Sequence, residues 1–298
     1  MERNEHADAF ADCVVRRTEW DTVMNPAMVL ATMLVPFIIA FVIIPLVLPD
    51  DINTVFSEVA FLAGGITSLV TECCVISLLL YMMAGRTAKH QGRDMIWADS
   101  LIGYAASKGF DTTELESLAK KMHKKWRAPL KAISLLFFAL NVLYLFIIAG
   151  VCFVGDGQIG DMPYLLTLVG YALVLIQFLL TVGATYGFPF KHEKAQIAFT
   201  EELSSQLSRV GIDIGPMPRI VGRRHWIICI LLFIITLGLF SIVMFVLACR
   251  NMNLHLHNQW DYEQHVLDVI ITHEGGKGVK PVEGLKAGMG KRILRSVF

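Results

Sequence analysis

Five long stretches of this 298-residue chain contain no lysine or arginine: roughly Ala27 to Leu48, Ser57 to Ala84, Ala132 to Phe153, Tyr164 to Phe188 and Trp226 to Cys249. That absence excludes a single soluble domain, whose surface helices would carry a charged face. Each run is long enough to cross a hydrocarbon core, which takes about 20 apolar residues as a helix. The whole chain is 55% hydrophobic and 17% charged, with a mean hydropathy of +0.56. The expected fold class is therefore all-α, a polytopic membrane protein with about five transmembrane helices. The N-terminal segment has mixed charge (Arg16, Arg17, Glu19, Asp21) and lacks a small-residue cleavage site before the first run. The first run thus reads as a retained helix and not a signal peptide.

Basic residues are also missing from two connections. Segments 49–56 and 154–163 carry only Asp50, Asp51, Asp156 and Asp161, whereas segments 85–131 and 189–225 are rich in Lys and Arg. Basic loops stay on the cytoplasmic side. The N-terminus and both basic segments are expected inside the cell membrane, with the acidic loops outside. Five spans would then put the C-terminal tail outside, against the sign of its own Lys277, Lys280, Lys286, Lys291, Arg292 and Arg295.

The six cysteines form no CxxC pair, which excludes a disulfide framework or a cysteine zinc site. There is no HExxH and no GxSxG. Gly284 to Arg292 superficially suggests a phosphate loop, but its spacing is wrong and Arg292 stands where Ser or Thr is needed. No catalytic residue, metal or cofactor is expected from these motifs.

What the chain does have is a duplication. Lys89-His90 is followed by Gly109-Phe110-Asp111, and Lys191-His192 by Gly211-Ile212-Asp213 at the same spacing, each between two apolar runs. After each histidine comes an apolar stripe at helical spacing: Ile96, Trp97, Leu101 and Ala105 in one copy, Phe199, Leu203, Leu207 and Val210 in the other. The glycine predicts a helix stop in the left-handed conformation, with Phe110 or Ile212 as the hydrophobic contact beyond it. Asp111 then reads as the cap of a second helix, whereas Pro216 and Pro218 forbid one in the second copy. Trp20, Trp126 and Trp226 stand near cytoplasmic ends of runs, where indoles favour the interface.

The expected organisation is a segment 1–56 with the first transmembrane helix, repeat 1 over 57–153, repeat 2 over 154–250 and a tail over 251–298. The two repeats are parallel, each a span, a cytoplasmic amphipathic helix and a span. His90, Trp97, Gly109 and Asp111, with His192, Phe199, Gly211 and Asp213, form the expected repeat-unit interface. As matching positions the two histidines suit interfacial hydrogen bonding; a metal would need ligands that neither copy supplies. His255 and His257 in the tail support no more than adventitious metal binding.

Within the runs, Glu72, Asn141 and Gln177 lie at similar depth on three helices and form a candidate midplane polar cluster. Either a protonated Glu72 bonds one of the amides, or it marks an ion path. The last run, Trp226 through Thr236-Leu237-Gly238 to Cys249, resembles uncharacterised prokaryotic multi-pass membrane proteins, with a domain of unknown function in which a tryptophan precedes an apolar run broken by a Thr-x-Gly step. That resemblance implies no activity. The reading from sequence is a non-enzymatic membrane scaffold or complex subunit; the alternative is a transporter or channel, possibly dimeric, using Glu72. Its partners would be the lipid bilayer and either another protein or a second copy, met through the cytoplasmic amphipathic helices, with no role for nucleic acid.

Overall fold

In the computed structural model the described residues are 5–38, 56–123, 128–154, 162–181, 185–222, 225–236 and 239–275. Among them there are helices and connections but no strand. We number the helices α1 (Glu5–Val15), α2 (Arg17–Trp20), α3 (Pro26–Ile38), α4 (Phe56–Ser107), α5 (Thr113–Met122), α6 (Ala128–Val154), α7 (Met162–Thr181), α8 (Phe188–Ser208), α9 (Trp226–Ile235) and α10 (Phe240–His273).

Two buried apolar clusters divide the molecule into layers. One joins Val29 and Met33 of α3, Cys73, Ile76, Leu79 and Met83 of α4, Phe178 of α7, Cys229 and Phe233 of α9, and Met244, Phe245 and Ala248 of α10. The other, the cap, joins Phe10 and Val14 of α1, Trp97, Leu101 and Tyr104 of α4, Leu115 of α5, Phe199, Leu203 and Leu207 of α8, and Val266 and Ile270 of α10. Helices α4 and α10 run through both layers. α4 is 52 residues long, about 78 Å at 1.5 Å per residue. Among the described residues one helix, over Val70–Ser107, is long and apolar enough to cross a membrane; Pro26–Pro36, Leu130–Tyr144 and Leu168–Leu180 are shorter apolar helices. The C-terminal part of the first sequence run, from residue 39, and the connections 49–55 and 155–161 lie outside the described residues, as do the side chains of the second run before Val70.

Two sequence expectations need correction. Segment 85–131 does not begin with a separate helix, because α4 passes residue 85 without a break. In repeat 2, by contrast, α7 and α8 are separate helices. The run 226–249 is not one helix either. α9 ends at Ile235, and its Cys229 and Phe233 pack in the same cluster as Met244, Phe245 and Ala248 of α10, so the chain folds back on itself. Thr236 makes the break: its hydroxyl donates to the Leu232 carbonyl at 2.7 Å and accepts the Phe240 amide at 3.0 Å. A side chain bonding backbone on both sides of itself competes with the helical ladder. α9 and α10 are a helical hairpin, and α10 carries the C-terminal helix into the cap.

Both cap helices end as the sequence pattern requires. Gly109 and Gly211 have φ of 83° and 82°. The amides of Phe110 and Ile212 reach back to Ala105 and Leu207 at 3.3 and 3.1 Å, closing a Schellman turn in each copy. Beyond Gly211 the chain is irregular to residue 222, yet Ile212, Ile214, Met217 and Val221 are buried. Side chains satisfy its backbone groups. Thr200 accepts the Met217 amide at 3.0 Å, Glu193 takes Ile220 and Val221 at 3.2 and 2.8 Å, Asn258 donates to the Pro218 carbonyl at 2.7 Å, and Tyr262 to Gly215 at 2.8 Å.

Candidate metal centre in the helical cap

The repeat brings its two histidines together. The His90 and His192 rings meet edge to face with centroids 5.3 Å apart, and two turns further on the Trp97 and Phe199 rings lie 5.5 Å apart. The amphipathic stripes of α4 and α8 thus close on one another within a single chain, with α1 and α10 completing their burial.

A third histidine completes the cluster, and it comes from outside the duplication. α10 presents His255, Gln259 and Glu263 at i, i+4 and i+8, one per turn on one face. The His255 ring sits edge to face with His90 and with His192, at 5.2 and 5.3 Å. His90 Nε2 and His255 Nε2 are 3.2 Å apart, and the three rings offer ligand atoms within 4.8 Å of one another. Asp94, one turn after His90, closes the fourth side. Its Oδ2 lies 3.4 Å from His90 Nε2 and contacts His192 Nε2 directly. All four side chains are essentially inaccessible to solvent.

Around this core runs a polar shell. Asp21, between α2 and α3, accepts His90 Nδ1 at 2.8 Å and the Trp260 indole at 2.8 Å, and pairs with Arg93 at 3.0 Å. Arg93 grips Glu263 with two parallel bonds of 2.7 and 2.8 Å. Gln259 donates to Asp94 Oδ1 at 2.6 Å and to Glu263 at 2.7 Å, while Gln196 donates to Asp94 Oδ2 at 3.1 Å and to Gln259 at 2.8 Å.

The electrostatics follow from this packing. Burial works against ionised Asp94, but His90, His192 and Arg93 outweigh it and hold the carboxyl well below its usual range. Asp21 behaves in the same way, with His90 and then Arg93 overcoming burial. Burial disfavours a charged His90, yet Asp94 and Asp21 raise its pKa above the ordinary value. His255 is pushed the other way, by burial and then by the neighbouring histidines, and stays neutral. Burial raises Glu263 despite Arg93. Cys13, beneath this shell, is pushed up to about 12 by burial and then by Glu263, so its thiol is inert. Three carboxylates face one guanidinium, and the excess negative charge needs either ring protons or a cation. Three imidazoles and one carboxylate are donors of the kind that hold zinc-class ions.

The sequence reading located His90, His192, Trp97, Phe199, Gly109 and Gly211 in this region but not Asp21, Asp94, Arg93, Gln196, His255, Gln259 or Glu263. One signal was present for Asp94: it and Gln196 occupy the same offset from the repeat histidines, and they bond one another. Asp111 accepts the Thr113 amide at 3.0 Å at the start of α5, and Asp213 stands exposed where the prolines leave no helix to cap. In the apolar layer Glu72 takes the Ser241 hydroxyl at 3.4 Å, Asn141 donates to Ser77 at 3.3 Å, and Gln177 is buried on α7.

No protein-family model, curated protein or solved structure matches this chain.

Proposed function

We propose that the chain is an integral protein of the cell membrane whose cap lies on the cytoplasmic side and acts, without catalysis, as a scaffold or as a subunit of a membrane complex. The observation that carries this reading is the contrast between the outer surfaces of the two layers and the closed interior of the cap. Leu135, Leu136, Phe146, Leu168 and Ile235 turn outward from the apolar layer, where they are 58–74% exposed. Large apolar side chains exposed to that extent suit lipid. In the cap the reactive side chains bond one another, which suits a rigid platform better than a reaction site.

The hairpin supports a revised topology. α9 has ten residues, about 15 Å, half of a 30 Å hydrocarbon core. A break at half depth, with both arms packed on α3, α4 and α7, suits a re-entrant hairpin that returns to its side of origin. The runs 27–48, 57–84, 132–153 and 164–188 then make four spans, and both termini lie inside. The Lys- and Arg-rich tail joins the other basic segments, in keeping with the positive-inside rule.

One contact favours a second reading, a transporter or channel. Glu72 meets Ser241 at the turn of the hairpin, and a carboxylate beside a broken helix at membrane depth is a plan used for ion pathways. Purification of the tagged full chain in mild detergent tests the first reading, which expects a stoichiometric protein partner. Ion flux in liposomes that is lost on Glu72→Gln would overturn it in favour of the second. For the topology, single cysteines at Lys121 and His273 should label from the same side; labelling from opposite sides restores the fifth crossing.

A further inference from the structure

We propose that His90, His192, His255 and Asp94 bind one divalent transition metal of the zinc class, as a closed structural site that ties both repeat copies to the C-terminal helix.

Two of the donor spacings are those of a coordination shell. Zinc–nitrogen bonds of about 2.0–2.1 Å place tetrahedral ligand atoms about 3.3–3.4 Å apart. His90 Nε2 to His255 Nε2 is 3.2 Å, and His90 Nε2 to Asp94 Oδ2 is 3.4 Å. His192 Nε2 completes the set against the same carboxylate oxygen. An ion entering this space takes the place of the direct His192–Asp94 contact, which must open to admit it.

Charge points the same way. Asp21, Asp94 and Glu263 face the single guanidinium of Arg93, and all four are almost fully buried. With the rings neutral, two negative charges remain in a buried place, and one divalent cation balances them in place of ring protons. The supporting shell is of the kind that metal-bound histidines have. His90 Nδ1 is held by Asp21, itself fixed by Trp260 and Arg93, while Asp94 Oδ1 is fixed by Gln259. Three imidazoles to one carboxylate favour zinc-class ions over magnesium or calcium, which take oxygen. Four protein donors leave no open position, so the site is structural.

The test uses the full chain purified in mild detergent, stripped with a chelator and titrated with zinc chloride or with cobalt(II). One equivalent per chain is expected, with the visible bands of four-coordinate cobalt and a higher unfolding temperature. His255→Gln and Asp94→Asn should lose that equivalent, whereas His257→Gln, whose ring bonds the Asn253 carbonyl, should keep it. Asp21→Asn, which acts through His90, should bind one equivalent about 10–100-fold more weakly. Wild-type protein that remains helical and monodisperse yet binds neither metal overturns the proposal. So does a six-coordinate cobalt spectrum, or an equivalent retained after His255→Gln. The wild-type titration decides the matter even where a variant does not fold.

Discussion

The two copies of the repeat share their apolar half and differ in their polar half. Trp97 answers Phe199, Leu101 answers Leu203 and Gly109 answers Gly211, and both helices bury that stripe in one core. One turn earlier the match fails: Arg93 stands opposite Ala195, and Asp94 opposite Gln196. The position explains the difference. Equivalent residues of α4 and α8 face each other where the copies meet, so two aspartates would oppose like charges in a buried place. An aspartate against a glutamine gives a hydrogen bond instead, at 3.1 Å. A duplicated helix pair can keep its packing symmetric, but a single charged centre between the copies requires the symmetry to break.

If the apolar half is truly equivalent, its two aromatic residues should matter equally. Both Trp97 and Phe199 are wholly buried and touch one another. Trp97→Ala and Phe199→Ala should each cost about 3–5 kcal/mol, measured by chemical unfolding in detergent. The double variant should cost less than the sum, because each truncation opens space beside the other. A cost confined to one of the pair would show that one copy carries the cap alone.

The polar half gives the next largest effect. Gln196→Glu restores the charge symmetry that the chain avoids. It removes the donor shared by Asp94 and Gln259 and places a second carboxylate beside the first. A loss of about 1.5–3 kcal/mol is expected, from the broken bond to a charged group. Gln196→Met, which loses the donor without adding charge, should cost less. An equal loss for both would mean that like-charge repulsion plays no part.

How much of this was legible in the sequence divides along the same line. The duplication, the aromatic pair, the glycine stops and the His90–His192 meeting rest on residue spacing, which a sequence displays directly. The all-helical class rests on the apolar runs in the same way. The centre itself was hidden because half of it belongs to helices outside the repeat. His255, Gln259 and Glu263 form a polar stripe at four-residue spacing, a pattern that shows which face is turned inward but not what it meets. Asp21 sits in a short connection whose neighbours are mixed in charge, and nothing local distinguishes it from a solvated aspartate. The hairpin was masked by composition: α9 and the start of α10 are almost wholly apolar, and only the Thr236-Leu237-Gly238 step marks the reversal. Glu72 was legible as an unusual carboxylate, but its partner Ser241 lies beyond that turn.

The glycine stops offer a smaller and sharper comparison. Gly109 and Gly211 share the left-handed conformation, and neither has a heavy atom within 4 Å of where a Cβ would stand. The cost of alanine there is therefore conformational and not steric, about 1–2 kcal/mol at either site. Equal losses for Gly109→Ala and Gly211→Ala would confirm that the two turns are energetically the same. A larger loss at Gly109 would show that α5, which follows only the first, depends on the direction the turn sets.

The smallest effect lies at the end of the first copy, where Lys108 has no counterpart but Val210. Its ammonium pairs with Glu274 at 2.5 Å, and Tyr104 donates to the same carboxylate at 2.7 Å, pinning the end of α10 to α4. The bond from Lys108, then that from Tyr104, holds Glu274 below its usual pKa. A carboxylate lowered in this way adds stability above the unfolded value of about 4.3, and that stability fades as pH falls through the folded one. Because both partners are partly exposed, at 22% and 31%, solvent screens the pair, and Lys108→Ala should cost only about 0.2–1 kcal/mol. The difference between wild type and Lys108→Ala should shrink with added salt and vanish once Glu274 is protonated. A difference that persists in acid would instead assign the effect to the packing of the lysine stem over the Tyr104 ring, 5.3 Å away.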